Sequence, residues 1–454
     1  MENRRPPRPA PYDGRVTTWR MLTAVRGDML EAFTARLFVA DHLRRLFGTF
    51  YVHFIMTADA IRYIFRDGSQ SFTRHSAFLR MGHRIRGDGI LSSEGPNWTK
   101  QRRILSPAFG RALFATHHPR GNAVNDELCR NVQTRVRSGQ PVVDIWPLSR
   151  RWSMTQVTKL VFSDDADADL DALLHLTNGA TDILYGDTAS IVGLPAAIPT
   201  PVRIKGSQLR RQFDAISRRL LEKRRNAGER QADVLDYMLH QRDKVTETKL
   251  SEQEVLNNII TFFLAGIDTS ALSLTYTLFC VALSEEVQSK ILHEVETVIG
   301  NEPAPDFDDY EAMTYTKAVV DEGLRFYPAV PLHVRMATAS GDTPFGPVRK
   351  GDAVCVPSWV THFREDLWDE PETFKPERFL APGAGGPGQA GYMPFGLGPH
   401  RCLGHVFAKR MLSFAVAAMV RGFRFDVPED FALKLKATPV LQPVDGVRLR
   451  FSER

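Results

Sequence analysis

The amino-acid sequence predicts a mainly α-helical protein with a small β region. Two observations support this fold class. Apolar residues recur at helical spacing in several segments, the longest of which covers residues 251–283. Strand-like runs, rich in aromatic and β-branched residues, are few: residues 49–56 and short pieces near Val354 and Val447. Long helical periodicity with little strand signal is typical of a helical protein.

The spacing of apolar residues and the positions of glycines and prolines together predict nine helices. Pro96 is placed to start one helix, which ends before Pro107, and Gly300 follows another. The predicted helices are residues 21–38, 58–65, 96–106, 168–184, 207–226, 251–283, 285–299, 310–326 and 406–419. Glycine- and proline-rich sequence predicts irregular chain over residues 71–91, 186–201 and 368–392.

The composition is that of a soluble globular protein. Hydrophobic residues make up 43% and charged residues 24% of the 454 positions, which excludes wholesale disorder. Lys and Arg number 58 against 53 acidic residues, a net charge of +5. This small excess is compatible with an acidic protein partner and does not indicate a nucleic-acid-binding protein.

Cysteine usage and the first residues predict a cytoplasmic protein. The four cysteines, Cys129, Cys280, Cys355 and Cys402, are far apart and form no C-x-x-C pair, so neither a zinc site nor a disulfide framework is indicated. Residues 1–14 are rich in Arg and Pro and lack the apolar core of a secretory signal. We expect them to form a mobile arm, because they bury too little apolar surface to offset ordering entropy.

The helix over residues 207–226 carries an apolar stripe with arginines around it. Leu209, Phe213, Ile216 and Leu220 recur at helical spacing. A stripe of this kind is compatible with a nucleic-acid or membrane surface, but it is more often the buried face of an amphipathic surface helix. We favour the surface helix.

The segment 251–283 is long enough to be either a membrane span or a central core helix. Ser251 and Glu254 have the spacing of a capping box, and thirty-odd residues at 1.5 Å each reach roughly 45–50 Å. One charged residue, Asp268, lies within residues 259–283, together with several threonines and serines. Those polar groups are costly in lipid, so the sequence favours a buried central helix and no membrane span.

The stretch from Pro394 to Gly404 reads Pro-Phe-Gly-Leu-Gly-Pro-His-Arg-Cys-Leu-Gly. Its glycines allow a tight loop whose amides point toward Cys402. A thiolate among amide donors is a good iron ligand, Phe395 could shield the sulfur, and His400 with Arg401 offers donors to an anionic cofactor edge. The alternative is a surface loop that carries an inert buried cysteine.

This stretch resembles the haem-ligand loop of the cytochrome P-450 family. The match comprises Phe395, the two leading glycines, the basic His400 and Gly404, all at fixed offsets from Cys402. The resemblance covers residues 49–451 and implies one large domain over residues 15–454, with Cys402 as the thiolate ligand of haem b. It also implies that the haem lies between this loop and the long central helix.

A second motif lies within the long central helix. In Ala265-Gly266-Ile267-Asp268-Thr269-Ser270, the Thr269 hydroxyl is placed to bond the Ala265 carbonyl four residues earlier. Gly266 weakens the same turn by about 1 kcal/mol relative to alanine, which favours local opening of the helix. The sequence resembles the family's oxygen-activation motif, which implies that Asp268 and Thr269 deliver protons to dioxygen.

The remaining candidate residues are weak signals by themselves. Trp98 and Arg102 share a helix face, and such pairs are more often packing plus a solvated charge. By resemblance, they contact a haem propionate, as do Arg335 and His400. Glu322 and Arg325 form a Glu-x-x-Arg pair, which is common and usually lies on the surface. By resemblance, Arg378 completes this pair in a network that fixes the segment presenting Cys402.

The resemblance implies a monooxygenase that inserts one oxygen atom from dioxygen into a small apolar organic substrate. Electrons from NAD(P)H would come through a separate ferredoxin or flavoprotein. An acidic ferredoxin would be attracted by a group of cations, namely Arg102 or Arg103, Arg401, Lys409 and Arg410. The alternatives are a peroxide-driven peroxygenase, against which the Asp268–Thr269 pair argues, and a haem-binding sensor without turnover.

Overall fold

A computed structural model describes residues 5–14, 24, 27–74, 82–178, 180, 183, 198–228, 230–381, 391–438 and 440–454. Helices dominate this part of the chain. In chain order they are α1 (Ala35–Val39), α2 (Ala58–Arg62), α3 (Gly95–Leu105), α4 (Arg111–Arg137), α5 (Ile145–Phe162), α6 (Leu170–Thr177), α7 (Pro201–Ala227), α8 (Val234–His240), α9 (Glu252–Ala282), α10 (Glu285–Ile299), α11 (Asp309–Ala312), α12 (Thr314–Phe326), α13 (Ser358–Thr361) and α14 (His405–Gly422).

The described strands form three small sheets. They are β1 (His42–Phe47), β2 (Phe50–Ile55), β3 (Phe72–Arg74), β4 (Val142–Asp144), β5 (His333–Ala337), β6 (Ala353–Val356), β7 (Phe423–Asp426), β8 (Leu435–Ala437), β9 (Leu441–Pro443) and β10 (Arg448–Glu453). The largest sheet has the order β1-β2-β6-β5-β3, and the others pair β4-β10-β7 and β8-β9. The predicted fold class, mainly α with a small β region, is confirmed.

The chain forms two compact units, each with its own buried residues. Unit 1 comprises Met1–His75, Cys129–Leu148 and Leu272–Arg454, and it holds all the described strands. Unit 2 comprises Ser76–Leu128 and Ser149–Ala271 and is helical in its described part. In unit 1, apolar side chains from β2, α2 and β6 pack with Met393 and Leu397, two residues close to Cys402 in the chain.

The long helix α9 begins as the sequence predicts. The amide of Ser251 donates to Glu254 Oε2 at 2.7 Å, and the amide of Glu254 donates to Ser251 Oγ at 3.2 Å, which confirms the capping box. This helix is long and apolar enough to cross a membrane, but 67% of its most apolar window is buried within the protein. Such burial is typical of the core helix of a soluble protein.

Helix α7 is the amphipathic surface helix expected for residues 207–226. Leu209, Phe213, Ile216 and Leu220 are buried, as the stripe predicts. Arginines on its other faces pair with acidic groups of unit 2: Arg218 and Arg225 with Glu252, Arg219 with Asp169, and Arg224 with Asp165 and Asp233. These paired cations account for the basic character of the helix without an external anionic partner.

Several elements differ from the sequence-based expectation. The sequence did not predict the helices α4, α5, α8 and α13 or the strands β1, β3, β4, β7, β8 and β9. The helix expected over residues 310–326 is broken at Met313 into α11 and α12. Most of the helix expected over residues 21–38 lies outside the described residues, which show only a 3-10 turn at Met29–Ala32 and the short α1 there. Parts of the expected segments 71–91, 168–184, 186–201 and 368–392 also lie outside the described residues.

Residues 5–14 contact later parts of unit 1. The Tyr327 hydroxyl donates to the carbonyl of Pro7 at 2.6 Å, and the Arg8 guanidinium lies 3.2 Å from the ring centre of Phe363. Arg8 also donates to the Trp359 carbonyl at 3.3 Å. The mobile arm over residues 1–14 stays a prediction, but these contacts are specific anchors within it.

Candidate active site

The segment that contains Cys402 is a tight loop in unit 1. Gly396 and Gly398 have φ angles of +69° and +70°, a region that other residues rarely adopt. The Cys402 amide donates to the Phe395 carbonyl at 3.0 Å. A Cβ atom on Gly398 would lie 1.6 Å from the carbonyl oxygen of Phe65, so only glycine fits where the loop meets the turn after α2. Backbone sterics therefore determine how the loop presents Cys402.

Cys402 differs from the other three cysteines in its surroundings. Cys280 and Cys355 are buried, and burial raises the pKa of the Cys280 thiol well above its usual value and that of Cys355 to about 12. Cys129 is half-buried and donates to the Met419 sulfur at 3.9 Å. Cys402 is exposed on its loop. Of the four, it is the thiol best placed to bind a ligand as a thiolate.

The network expected around Glu322 is confirmed in unit 1. Glu322 and Arg325 are fully buried and form a two-point contact of 2.7 and 2.8 Å. Arg378 Nε adds a bond of 3.1 Å to the same carboxylate. Arg325 also donates to the carbonyls of His362 and Pro371, at 2.6 and 2.9 Å. The network thus ties α12 to the irregular segment that follows α13.

Two cations expected on a partner-docking face are engaged within unit 1. Lys409 donates to Asp321 Oδ2 at 2.6 Å, and Tyr392 donates to the same side chain at 2.9 Å. Arg410 is buried, packs over Phe307 and donates to its carbonyl at 2.6 Å. Both cations thus hold α14 against its own unit, and their role as docking charges stays a prediction.

Arg335 lies beside a second arginine that the sequence reading did not single out. β3 and β5 pair so that Arg74 is directly opposite Arg335, and the Arg74 side chain is buried. The pair forms a cationic region in unit 1, with Arg335 over the Phe65 ring at 4.7 Å. His400 is half-buried in the turn before Cys402.

In unit 2 the expected threonine contact is present. Thr269 Oγ1 donates to the Ala265 carbonyl at 2.8 Å. Gly266 has a packing role too: a Cβ there would lie 3.0 Å from a methyl of Val157, and its carbonyl accepts from Ser153 Oγ at 3.3 Å. Helix α9 is continuous through this turn, so the local opening stays a prediction.

Asp268 is held by an arginine that sequence reasoning missed. Arg150 Nε, at the start of α5, donates to Asp268 Oδ1 at 3.0 Å, and both side chains are only 14% exposed. The same guanidinium contacts Asn178 and, at 3.4 Å, Thr177 at the end of α6. No spacing in the sequence links positions 150 and 268, so only the fold reveals this pair. The carboxylate is held at a defined orientation on α9.

Helix α3, which carries Trp98 and Arg102, is fixed to the rest of unit 2 by its other residues. Lys100 donates to Glu254 at 2.6 Å, and Gln101 accepts from Asn258 at 2.8 Å. Arg103 forms two bonds to Asp243, of 2.6 and 2.7 Å, which hold the pKa of that carboxyl well below its usual range. Arg103 is therefore paired within its unit, and its role as a docking charge stays a prediction.

Comparisons with known proteins identify the family of this chain. The sequence profile of the family described as "Cytochrome P450" matches residues 9–451, and the chain therefore belongs to the cytochrome P450 family. The family defines the protein as a haem-thiolate monooxygenase, an oxidoreductase whose cofactor is haem iron.

The relatives are distant but extensive. The chain is 26% identical over 399 residues to mouse cytochrome P450 3A41, covering 84% of this chain and 79% of the relative. It is 26% identical over 341 residues to cyclooctat-9-en-7-ol 5-monooxygenase of Streptomyces melanosporofaciens, covering 74% and 72%. The crystal structure of a cytochrome P450, CYP102L1, superposes with a TM-score of 0.78 at 25% identity, covering 91% of this chain and 95% of that one.

The residues present fit a haem. An exposed thiol stands on a loop shaped by two left-handed glycines, which suits an iron ligand. The Arg74–Arg335 pair supplies positive charge suited to propionates. The predicted site residues are divided between the units: Arg335, Phe395, His400, Cys402 and Gly404 lie in unit 1, and Trp98, Arg102, Ala265, Asp268 and Thr269 lie in unit 2.

Proposed function

We propose that this protein is a monooxygenase that hydroxylates a small apolar organic substrate, with Cys402 as the iron ligand. The observation that carries the proposal is the loop around Cys402, whose backbone geometry presents a single exposed cysteine. Haem, when bound through a thiolate, supplies the electron donation that favours cleavage of dioxygen. Trp98, Arg102, Arg335 and His400 bind the propionates, and Phe395 limits water at the sulfur.

Within this proposal the turn Ala265–Thr269 moves protons. Thr269 holds its hydroxyl at a defined place by donating to the Ala265 carbonyl, and this hydroxyl can accept a proton from a neighbour as it passes one on. Asp268 receives protons from solvent and supplies them to that hydroxyl. The presence of both groups favours use of dioxygen over peroxide.

We further propose that the protein acts in the cytoplasm and receives electrons from NAD(P)H through a separate ferredoxin or flavoprotein. The composition and the burial of α9 support a protein free of a membrane span. A docking test should leave Lys409 unchanged, because its reversal would place a second negative charge beside Asp321. Reduction by an acidic ferredoxin should instead slow as salt rises, since screening shortens the field to about 8 Å at physiological ionic strength.

The test of the haem assignment is spectroscopic. Reduced protein with carbon monoxide should show the red-shifted Soret band of thiolate ligation, and Cys402→Ala should abolish it. Cys129→Ala, a change at a half-buried cysteine elsewhere in unit 1, serves as the matched control and should leave the band unchanged. A full band in Cys402→Ala would refute the ligand assignment. Consumption of dioxygen with electrons and an apolar substrate separates an enzyme from a haem-binding sensor.

Arg150 provides a prediction about proton delivery. Because its guanidinium fixes the Asp268 carboxylate, Arg150→Gln should lower the rate of product formation several-fold and change its solvent isotope effect. Arg151→Gln, which alters a 42% exposed pair with Glu127, is the control and should change neither quantity. An Arg150→Gln enzyme with the wild-type rate and isotope effect would show that the pair is structural only.

A further inference from the structure

The loop that carries Cys402 begins with three consecutive residues, each held by a side chain from elsewhere in unit 1. Thr361 Oγ1 donates to the Gly391 carbonyl at 3.2 Å. The hydroxyl of Tyr392 donates to Asp321 at 2.9 Å. The amide of Met393 donates to Nε2 of His362 at 3.3 Å. The last of these bonds is accepted by a histidine ring nitrogen, which can accept from an amide only while the ring is neutral.

Hydrogen-bond partners assign the protonation state of His362. The side chain is fully buried, with Nδ1 lying 2.9 Å from the Arg325 carbonyl oxygen. A carbonyl only accepts and an amide only donates, so Nδ1 carries the proton and Nε2 is the acceptor for Met393. A protonated ring would have no lone pair for that amide. The contact between helix α12 and the loop therefore requires a neutral histidine.

The groups around the ring favour the neutral form. Burial lowers the pKa of His362 to about 3; the bond to the Arg325 carbonyl opposes this shift, and the positive charges of Arg325 and Arg8 add to it. The ring also packs against Tyr392, with centres 5.6 Å apart. The Glu322 carboxylate, three residues before Arg325 in α12, is bonded twice to that arginine.

A second histidine, half-buried in β5, acts on the same loop residue. The ring of His333, in β5, hydrogen-bonds to the backbone of Met393, and its pKa is lowered to about 3, chiefly by burial. The Met393 carbonyl also accepts from the Gly396 amide at 3.0 Å, inside the turn that leads to Cys402. Met393 is thus the residue through which both histidines reach the loop.

We propose that His362 is a positioning residue for Cys402: its neutral ring joins the Arg325 carbonyl to the Met393 amide and so fixes the start of the ligand loop. This proposal rests on the proposed function, in which Cys402 binds haem iron. The proposal implies that haem retention weakens in acid because His362 takes up a proton, and not because the Cys402 thiolate does.

The direction of the pH effect follows from the lowered pKa. The native protein keeps His362 neutral down to about pH 3, whereas in an unfolded chain the group takes up a proton near pH 6.5. The stabilisation is therefore complete above pH 6.5 and is lost progressively as the pH falls from 6.5 toward 3. Haem retention should weaken over the same interval.

The experiment compares two variants of the holoprotein. His362→Phe fills the space but leaves the Met393 amide and the Arg325 carbonyl without their bonds, so haem transfer to an apo-acceptor at neutral pH should be about tenfold faster or more. His362→Gln offers one donor and one acceptor without titrating. It should lose haem within about threefold of the wild-type rate, and its thiolate Soret band should persist to a lower pH than in wild type.

The control is His117→Phe, which removes another buried histidine with a pKa lowered to about 4, in unit 2 and bonded to Gln156. It should not change the carbon monoxide band. Wild-type haem retention in His362→Phe, or an unchanged acid midpoint in His362→Gln, would overturn the proposal. A wild-type protein without a thiolate band would instead refute the proposed function. Hydrogen exchange of the Met393 amide would still test the bond to His362 in that case, because exchange should be faster in His362→Phe.

Discussion

Glu322→Ala should yield little folded holoprotein. Glu322 accepts from Arg325, from Arg378 Nε and from the Lys375 amide at 2.9 Å, so the variant leaves a buried guanidinium without its anion. Removal of one partner of a buried pair costs about 3–5 kcal/mol, a large part of the stability of a typical protein. Thermal unfolding and the haem content of purified protein measure the effect.

The matched control for this prediction is Glu377→Ala. Glu377 is adjacent to Arg378 in the chain, but its carboxylate is 39% exposed and pairs with Lys290 at 2.8 Å. Exposed pairs of this kind contribute roughly 0–1 kcal/mol, so melting and haem content should hardly change. Equal losses in both variants would mean that any change in this segment is disruptive, and normal melting of Glu322→Ala would show that the buried network does not stabilise the protein.

Thr269→Ala and Asp268→Asn should fail in different ways. Without the Thr269 hydroxyl, the protein should still consume dioxygen and NAD(P)H but release hydrogen peroxide, so product per electron should fall sharply. Without the Asp268 acid, proton supply itself should slow, and the whole cycle should run about 10²-fold slower with better retention of coupling. Product, peroxide and reductant consumption, measured together, distinguish the two outcomes.

Thr269→Ser is the control for the threonine, because it keeps a hydroxyl able to donate to the Ala265 carbonyl. It should retain most of the coupling that Thr269→Ala loses. Full coupling in Thr269→Ala would contradict the role given to this helix turn. Identical product yields in Asp268→Asn and Thr269→Ala would contradict the division of labour between the two residues.

The sequence predicted those helix ends that are defined by capping residues close to them in the chain. The capping box at Ser251 lies at the start of α9, and Gly300 directly follows the end of α10. Helix α4 was missed because its interior contains Pro119 and Gly121, which read as helix breakers. Gly121 is tolerated there because its carbonyl accepts from Gln156 Nε2 at 3.0 Å, a tertiary contact.

The contacts of the candidate site are likewise of two kinds, those between neighbouring residues and those between distant segments. The glycine spacing before Cys402, the Thr269–Ala265 bond and the Glu322–Arg325 pair depend on residues within a few positions of each other, so the sequence could predict them. Arg150 with Asp268 and Arg74 with Arg335 join segments more than a hundred residues apart. Such pairs have no local signature, and the same holds for the paired states of Lys409 and Arg103.

The parallel pairing of β2 with β6 aligns Val52 with Ala353, some three hundred residues later in the chain. Phe65, against which Gly398 packs, likewise belongs to the first part of the chain. During synthesis, the edge of β2 that pairs with β6 remains unpaired until most of the polypeptide has left the ribosome. Contacts of such long range form slowly. Haem binding is therefore expected to be a late step of biosynthesis. Chains that end before residue 353 should aggregate readily and should lack the colour of bound haem.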